Sequence, residues 1–195
     1  MTDLDQFVKD AIRTESVIHD VNTDFAFLQQ LLTALINLGS VLDQVKKNVF
    51  YGKPFKEGPE SIAQLIHDTQ VQLQEMMTSD GSPTTCAVNV IDPRVFHGVV
   101  GIATESTELL EALSTAIFER GKNLDNVNVG EELGDVDWYK AILCDALGIS
   151  WDNTLSTVID KLRVRFPDKF DSDKAINRDL ATERTVLENN HNKRE

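Results

Sequence analysis

Cysteine is almost missing from this chain: Cys86 and Cys144 are the two present, with neither CxxC spacing nor a disulfide framework. A disulfide scaffold is therefore not expected, and a reduced, intracellular, cytoplasmic setting is. The four histidines form no HExxH or His/Cys zinc pattern. No apolar run approaches the ~20 residues of a membrane span, and the opening MTDLDQF is too acidic and polar for a signal peptide. Basic residues are in deficit, 19 against 32 acidic, for a net charge of −13. A sequence-independent grip on nucleic acid needs clustered Lys and Arg, so neither nucleic acid nor membrane is an expected partner.

What remains is an ordinary globular composition over 195 residues, 41% apolar and 26% charged, enough for a genuine core. Strict alternation is scarce, and apolar residues recur at spacings of three and four. This predicts helices near 3–19, 24–50, 59–78, 93–119, 128–147, 151–166 and 172–187, and an all-α helical bundle. All five prolines fall at the edges of these segments, where a missing N–H does no harm. Asp92–Pro93 is a helix start with an N-cap carboxylate and proline in the first turn. Gly58–Pro59 is a similar start, and Gly121 and Gly148 stand where a left-handed C′ residue is wanted. Residues 81–92 read as a linker, with a short extended piece allowed, and 189–195 as a flexible tail.

Two carboxylate pairs carry the chemistry. Glu105 and Glu108 lie three apart on the 93–119 helix, and Glu132 and Asp135 repeat that spacing on the next long helix. The short connection makes these helices antiparallel neighbours, so the four acids converge if the pairs face one another. Two like charges ~5 Å apart repel by about 3 kcal/mol at an effective dielectric of about 20. Such a cluster needs cations or protons, and oxygen-only donors select hard metals such as Mg²⁺. Gly98, Gly101 and Gly134 cost helix stability and are expected to let the helices approach closely. The same spacing also suits solvated faces of an acidic protein, and spacing alone does not choose.

The segments HGVVGIATESTELLEAL, VNVGEELGDVDWY and VIDKLRVRFPDKF, across residues 93–171, resemble the MazG-like all-α nucleoside triphosphate pyrophosphohydrolases. That family's EExxE…ExxD signature is matched by Thr104-Glu105-Ser106-Thr107-Glu108 and Glu132-Leu133-Gly134-Asp135, with Thr104 replacing the first glutamate. The ending DKAINRDLATERTVLE resembles phage and bacterial members.

The resemblance implies a four-helix catalytic core over 93–188 and Mg²⁺-dependent cleavage of a (d)NTP between its α- and β-phosphates, with Mn²⁺ able to substitute. It implies Glu105, Glu108, Glu132 and Asp135 as metal ligands. Glu105, Glu108 or Glu131 would activate the attacking water. Lys161 and Arg165, four apart, are candidates for the phosphates, or else surface charges beside an apolar stripe. His97 lies on the Glu105 stripe, and Gly101 would leave room between its ring and the metals for a sugar or base; helix packing is its alternative. Tyr139 is a candidate to stack on a base, or a core aromatic, and Trp138 is assigned to packing. Asp160 stands where family members often have Asn. Family habit implies a homodimer or homotetramer. A non-catalytic acidic binder, such as a DNA mimic, and an inactive nucleotide-binding relative are the alternative functions.

A repeat is also visible. At an offset of 68, residues 28–50 align with 96–118, matching Leu42 to Leu110 and Phe50 to Phe118. Residues 1–80 are accordingly expected to be a degenerate copy of the catalytic helices, with Asn37 and Ser40 at the metal positions.

Overall fold

The computed structural model describes residues 3–16, 22–56, 59–78, 85–87 and 91–192. In chain order these form α1 (Leu4–Ile12), β1 (Asn22–Asp24), α2 (Phe25–Tyr51), α3 (Pro59–Thr78), β2 (Thr85–Ala87), α4 (Pro93–Phe118), α5 (Asn126–Ala146), α6 (Trp151–Arg165), α7 (Ser172–Ile176) and α8 (Leu180–Asn192). Among the described residues the regular structure is all helical apart from two three-residue strands, which pair antiparallel with Thr23 opposite Cys86. No described helix is long and apolar enough to cross a membrane.

Two compact units divide the chain: residues 1–21 with 89–156, and 22–88 with 157–195. This differs from the division expected over 1–80, 81–92, 93–188 and 189–195. The first helix joins the later ones because its apolar face, Leu4, Phe7, Val8 and Ala11, packs on Ala141, Cys144 and Trp151. Phe7 meets Trp151 edge-on at 5.7 Å, and the Trp138 indole N–H donates to Thr14 Oγ1 at 2.8 Å. Arg94, on the first turn of α4, grips Glu15 through Nε and Nη2 and reaches Asp145 at 2.8 Å.

In this first unit α4 and α5 form the principal pair. Asp92 caps α4 by accepting from Arg94 N, and Asp125 caps α5 by accepting from Val127 N and Asn128 N. A left-handed Gly121 (φ 76°) turns the chain between them. Beyond α5, Gly148 (φ 63°) lets Ile149 N reach Cys144 O at 2.9 Å while Gly148 N reaches Asp145 O, a Schellman ending.

In the second unit α2 packs on α3 and α7. Glu183 of α8 is buried and accepts from both Arg165 and Arg178, with Nη2–Oε2 distances of 2.6 Å each. The two guanidinium groups pull its carboxyl down to about 2.

Several boundaries differ from the periodicity reading. The first helix stops at Ile12 rather than near 19, where Thr14 Oγ1 takes the Ala11 carbonyl. The expected 172–187 helix is two, broken at 177–179, because Asp179 starts a new cap by accepting from Thr182 N and Oγ1. Within the expected linker Thr85–Ala87 is a strand; residues 81–84 and 88–90 lie outside the described residues. Of the expected flexible tail, 189–192 continue α8, and 193–195 lie outside the description.

The helix pairs α2–α3 and α4–α5 start 68 and 67 residues apart, and a left-handed glycine, Gly52 or Gly121, follows the first helix of each. Each first helix also leaves corresponding apolar residues on the surface: Phe50 and Phe118 are 71% and 79% exposed, and Val49 and Ile117 are exposed as well.

Candidate metal centre

Close helix approach sets the frame of the site. A Cβ on Gly98 would come 2.9 Å from Leu143 Cβ, and one on Gly101 would lie 2.1 Å from Tyr139 Cδ1. Both glycines are buried at the α4–α5 contact, Gly98 about two turns and Gly101 about one turn before Glu105. Gly134 differs from the expectation: a Cβ there meets nothing within 4 Å, since this side of α5 faces open space.

On that frame Glu105 of α4 meets Glu132 and Asp135 of α5, each offering a carboxylate oxygen within 4.8 Å of the others. Glu132 is the most enclosed, 6% exposed, and Asp135 is on the surface. Burial raises the Glu132 carboxyl above its ordinary value, and the negative charges of Glu108, Glu105, Glu131 and Asp135 raise it further. Glu108 thus stands close enough to act on Glu132 while lying outside the three-carboxylate group. Instead it lines, with Glu132, Asn128, Asp125 and Asn123, a cleft of about 270 Å³. Glu131 is exposed beside Glu132. Thr104, where the signature has glutamate, donates to Gly101 O at 2.9 Å and lies 3.3 Å from Glu105 Oε1.

The donor set suits a hard dication. Magnesium takes oxygens at about 2.0–2.1 Å in an octahedron, so its ligand oxygens stand roughly 3–4 Å apart. Carboxylates within 4.8 Å of one another reach that spacing by small rotations. A cation would also remove the mutual repulsion that burdens Glu132.

The remaining expected residues fall into two places. The room expected beside Gly101 is filled by the Tyr139 ring. Tyr139 is half-buried next to the acids, and burial, Glu105, Asp135 and Glu108 together push its hydroxyl upward. His97 meets Trp138 and Tyr139 edge-on at 6.0 and 5.3 Å, as a packing residue would; its Nδ1 is buried without a hydrogen-bond partner among the described residues. Trp138 packs as assigned. Lys161 and Arg165 belong to the second unit. Arg165 is not a loose surface charge: Nε and Nη2 are both committed to Glu183. Asp160 pairs with Arg163 at 3.1 Å.

The cleft wall of Asn123, Asp125 and Asn128 went unnoticed in the sequence. Its signal was available: Asn128 precedes Glu132 by four, so it shares the helix face of that acid.

Compared with known proteins, the chain matches no family model, no curated protein and no solved structure.

Proposed function

We propose that this protein is a Mg²⁺-dependent nucleotide pyrophosphohydrolase that converts a (d)NTP and water into the (d)NMP and pyrophosphate. The observation carrying this reading is the convergence of Glu105, Glu132 and Asp135 from two antiparallel helices, with Glu132 buried under the charge of its neighbours. A protein using its acids as a phosphate mimic would spread them over an open face. Enclosing an ionised carboxylate among four others is unfavourable unless a cation or a proton relieves the charge, and the oxygen donor set suits the cation.

Bound there, a divalent cation would neutralise phosphate charge, acidify water and stabilise the leaving group. Glu105, Glu132 and Asp135 would hold it, and Mn²⁺ would fit the same oxygen set. Glu108, on the wall of the adjoining cleft, orients the attacking water and accepts its proton; Glu131 is the second candidate for that proton. Asn123 and Asn128 offer neutral amide donors to a phosphate or sugar in that cleft without adding negative charge.

The pairs α2–α3 and α4–α5 are inferred to descend from one duplicated unit, the first having lost its acids at Asn37 and Ser40. The matched exposed apolar residues on α2 and α4 favour self-association as a homodimer or homotetramer. A cytoplasmic location follows from such a substrate.

The deciding measurement is pyrophosphate release from a panel of nucleotides, with and without Mg²⁺. Turnover that needs Mg²⁺ and disappears in Glu105→Gln is expected. No release from any nucleotide, by protein whose fold is intact, overturns the reading in favour of a binding protein.

A further inference from the structure

The second unit holds a cleft of its own, about 570 Å³, within the range of small-molecule sites. Its walls gather cations: Lys46 and Lys47 from the last turns of α2, Lys53 just beyond them, and Arg165 and Arg178. The position of Lys53 is built rather than loose. Left-handed Gly52 (φ 66°) ends α2, Lys53 N donates to Lys47 O at 3.2 Å, and Asn48 Nδ2 donates to Lys53 O at 3.0 Å.

These cations are only partly neutralised. Asp43 takes both Lys46 and Lys47, and Glu183 takes both arginines. Five cations against two carboxylates leave +3 around one cleft, in a chain whose net charge is −13. Among the described residues the Lys53 ammonium has no carboxylate partner, and Arg165 and Arg178 each keep their Nη1 donors outside the Glu183 pair. In so acidic a protein, unpaired positive charge concentrated at a cleft points to an anionic occupant.

The cleft has a flat apolar side too. Tyr51 lies 5.5 Å from Phe170, and Phe170 lies 5.3 Å from Phe166, ring centre to ring centre. Half of Phe170 is uncovered. Rings beside cations suit a ligand that is planar at one end and multiply anionic at the other.

We propose that this cleft binds a nucleoside phosphate, with the base against Tyr51 and Phe170 and the phosphates on Lys46, Lys53 and the free guanidinium donors. This stands apart from the hydrolytic reading, which concerns acids of the first unit.

The test is calorimetric titration of the full chain with nucleoside diphosphates of the four common bases, in EDTA. Without a cation the acid cluster repels phosphate, so binding reports on the basic cleft alone. At least one diphosphate binds, and Lys53→Ala and Lys46→Ala each weaken it about tenfold, the loss expected for one charge-assisted hydrogen bond. Tyr51→Ala weakens the diphosphate several-fold and leaves inorganic pyrophosphate unchanged, while Glu105→Gln leaves both unchanged. Matching melting temperatures establish that the variants are folded. The proposal is overturned if no diphosphate binds, if Lys53→Ala binds like wild type, or if pyrophosphate binds as tightly as every nucleotide. Turnover in Mg²⁺ and binding in EDTA can each fail without the other.

Discussion

The ring of Tyr139 occupies the volume that a side chain on residue 101 would need: a Cβ on Gly101 would stand 2.1 Å from Tyr139 Cδ1. A turn later on α4, Glu105 meets Glu132 and Asp135 of α5. The approach of the two helices at Gly101 therefore sets the distance across the carboxylate group. Gly101→Ala is expected to displace the ring or part the helices. Overpacking of this kind costs about 1–3 kcal/mol, offset by roughly 1 kcal/mol of helix propensity. Gly134→Ala meets open space and should gain stability by up to about 1 kcal/mol. Thermal melts of the two variants should thus move in opposite directions.

Divalent cations should raise the melting temperature by occupying the folded carboxylate group. At a hundredfold excess over the dissociation constant the gain is about 2.7 kcal/mol. Glu132→Gln should lose most of that response. In EDTA, however, the variant should melt no lower than wild type, because burial and four neighbouring acids already oppose ionisation at this position. A wild-type protein whose melt ignores Mg²⁺ and Mn²⁺ would contradict the metal centre.

Glu183 predicts an acid limit to stability. Its folded carboxyl is depressed to about 2 from an ordinary value of 4.5, so the unfolded chain binds the proton more readily. The contribution is complete above pH ~4.5 and is lost as pH falls toward ~2. Glu183→Gln should flatten the melting profile across that window. Glu183→Ala, leaving Arg165 and Arg178 without their acceptor, should cost about 2–4 kcal/mol at neutral pH.

Phe50 and Phe118, each more than two-thirds exposed, should report on self-association. Replacing both by Ser is expected to shift sedimentation toward a smaller species while leaving the helical circular dichroism unchanged. An unaltered sedimentation coefficient would remove these faces from any interface between copies.

Local signals carried much of the architecture. Asp92 before Pro93, and Gly121 and Gly148 past their helices, act through the nearest backbone groups, and each does in the structure what its chemistry requires. The spacing Glu105/Glu108 and Glu132/Asp135 fixes which helix face each acid shares. The start of α8 was equally local, yet Asp179 was hidden inside a pattern whose apolar spacing runs across it.

The partners of each face were not legible. The stripe Leu4, Phe7, Val8 and Ala11 states that α1 must bury one side, and nothing in it names α5 as the cover. Nor does Arg165 announce Glu183, eighteen residues later, as the partner of its Nε and Nη2. Gly101 and Gly134 look alike in sequence, but one is filled by Tyr139 and the other faces open space. Periodicity and capping depend on residues within about one turn, so the chain alone determined the helices, their ends and the side each acid lies on. Which sides meet depends on packing between residues distant in sequence, and only the tertiary structure decided that Glu132 is enclosed, Tyr139 fills the gap and Arg165 pairs with Glu183.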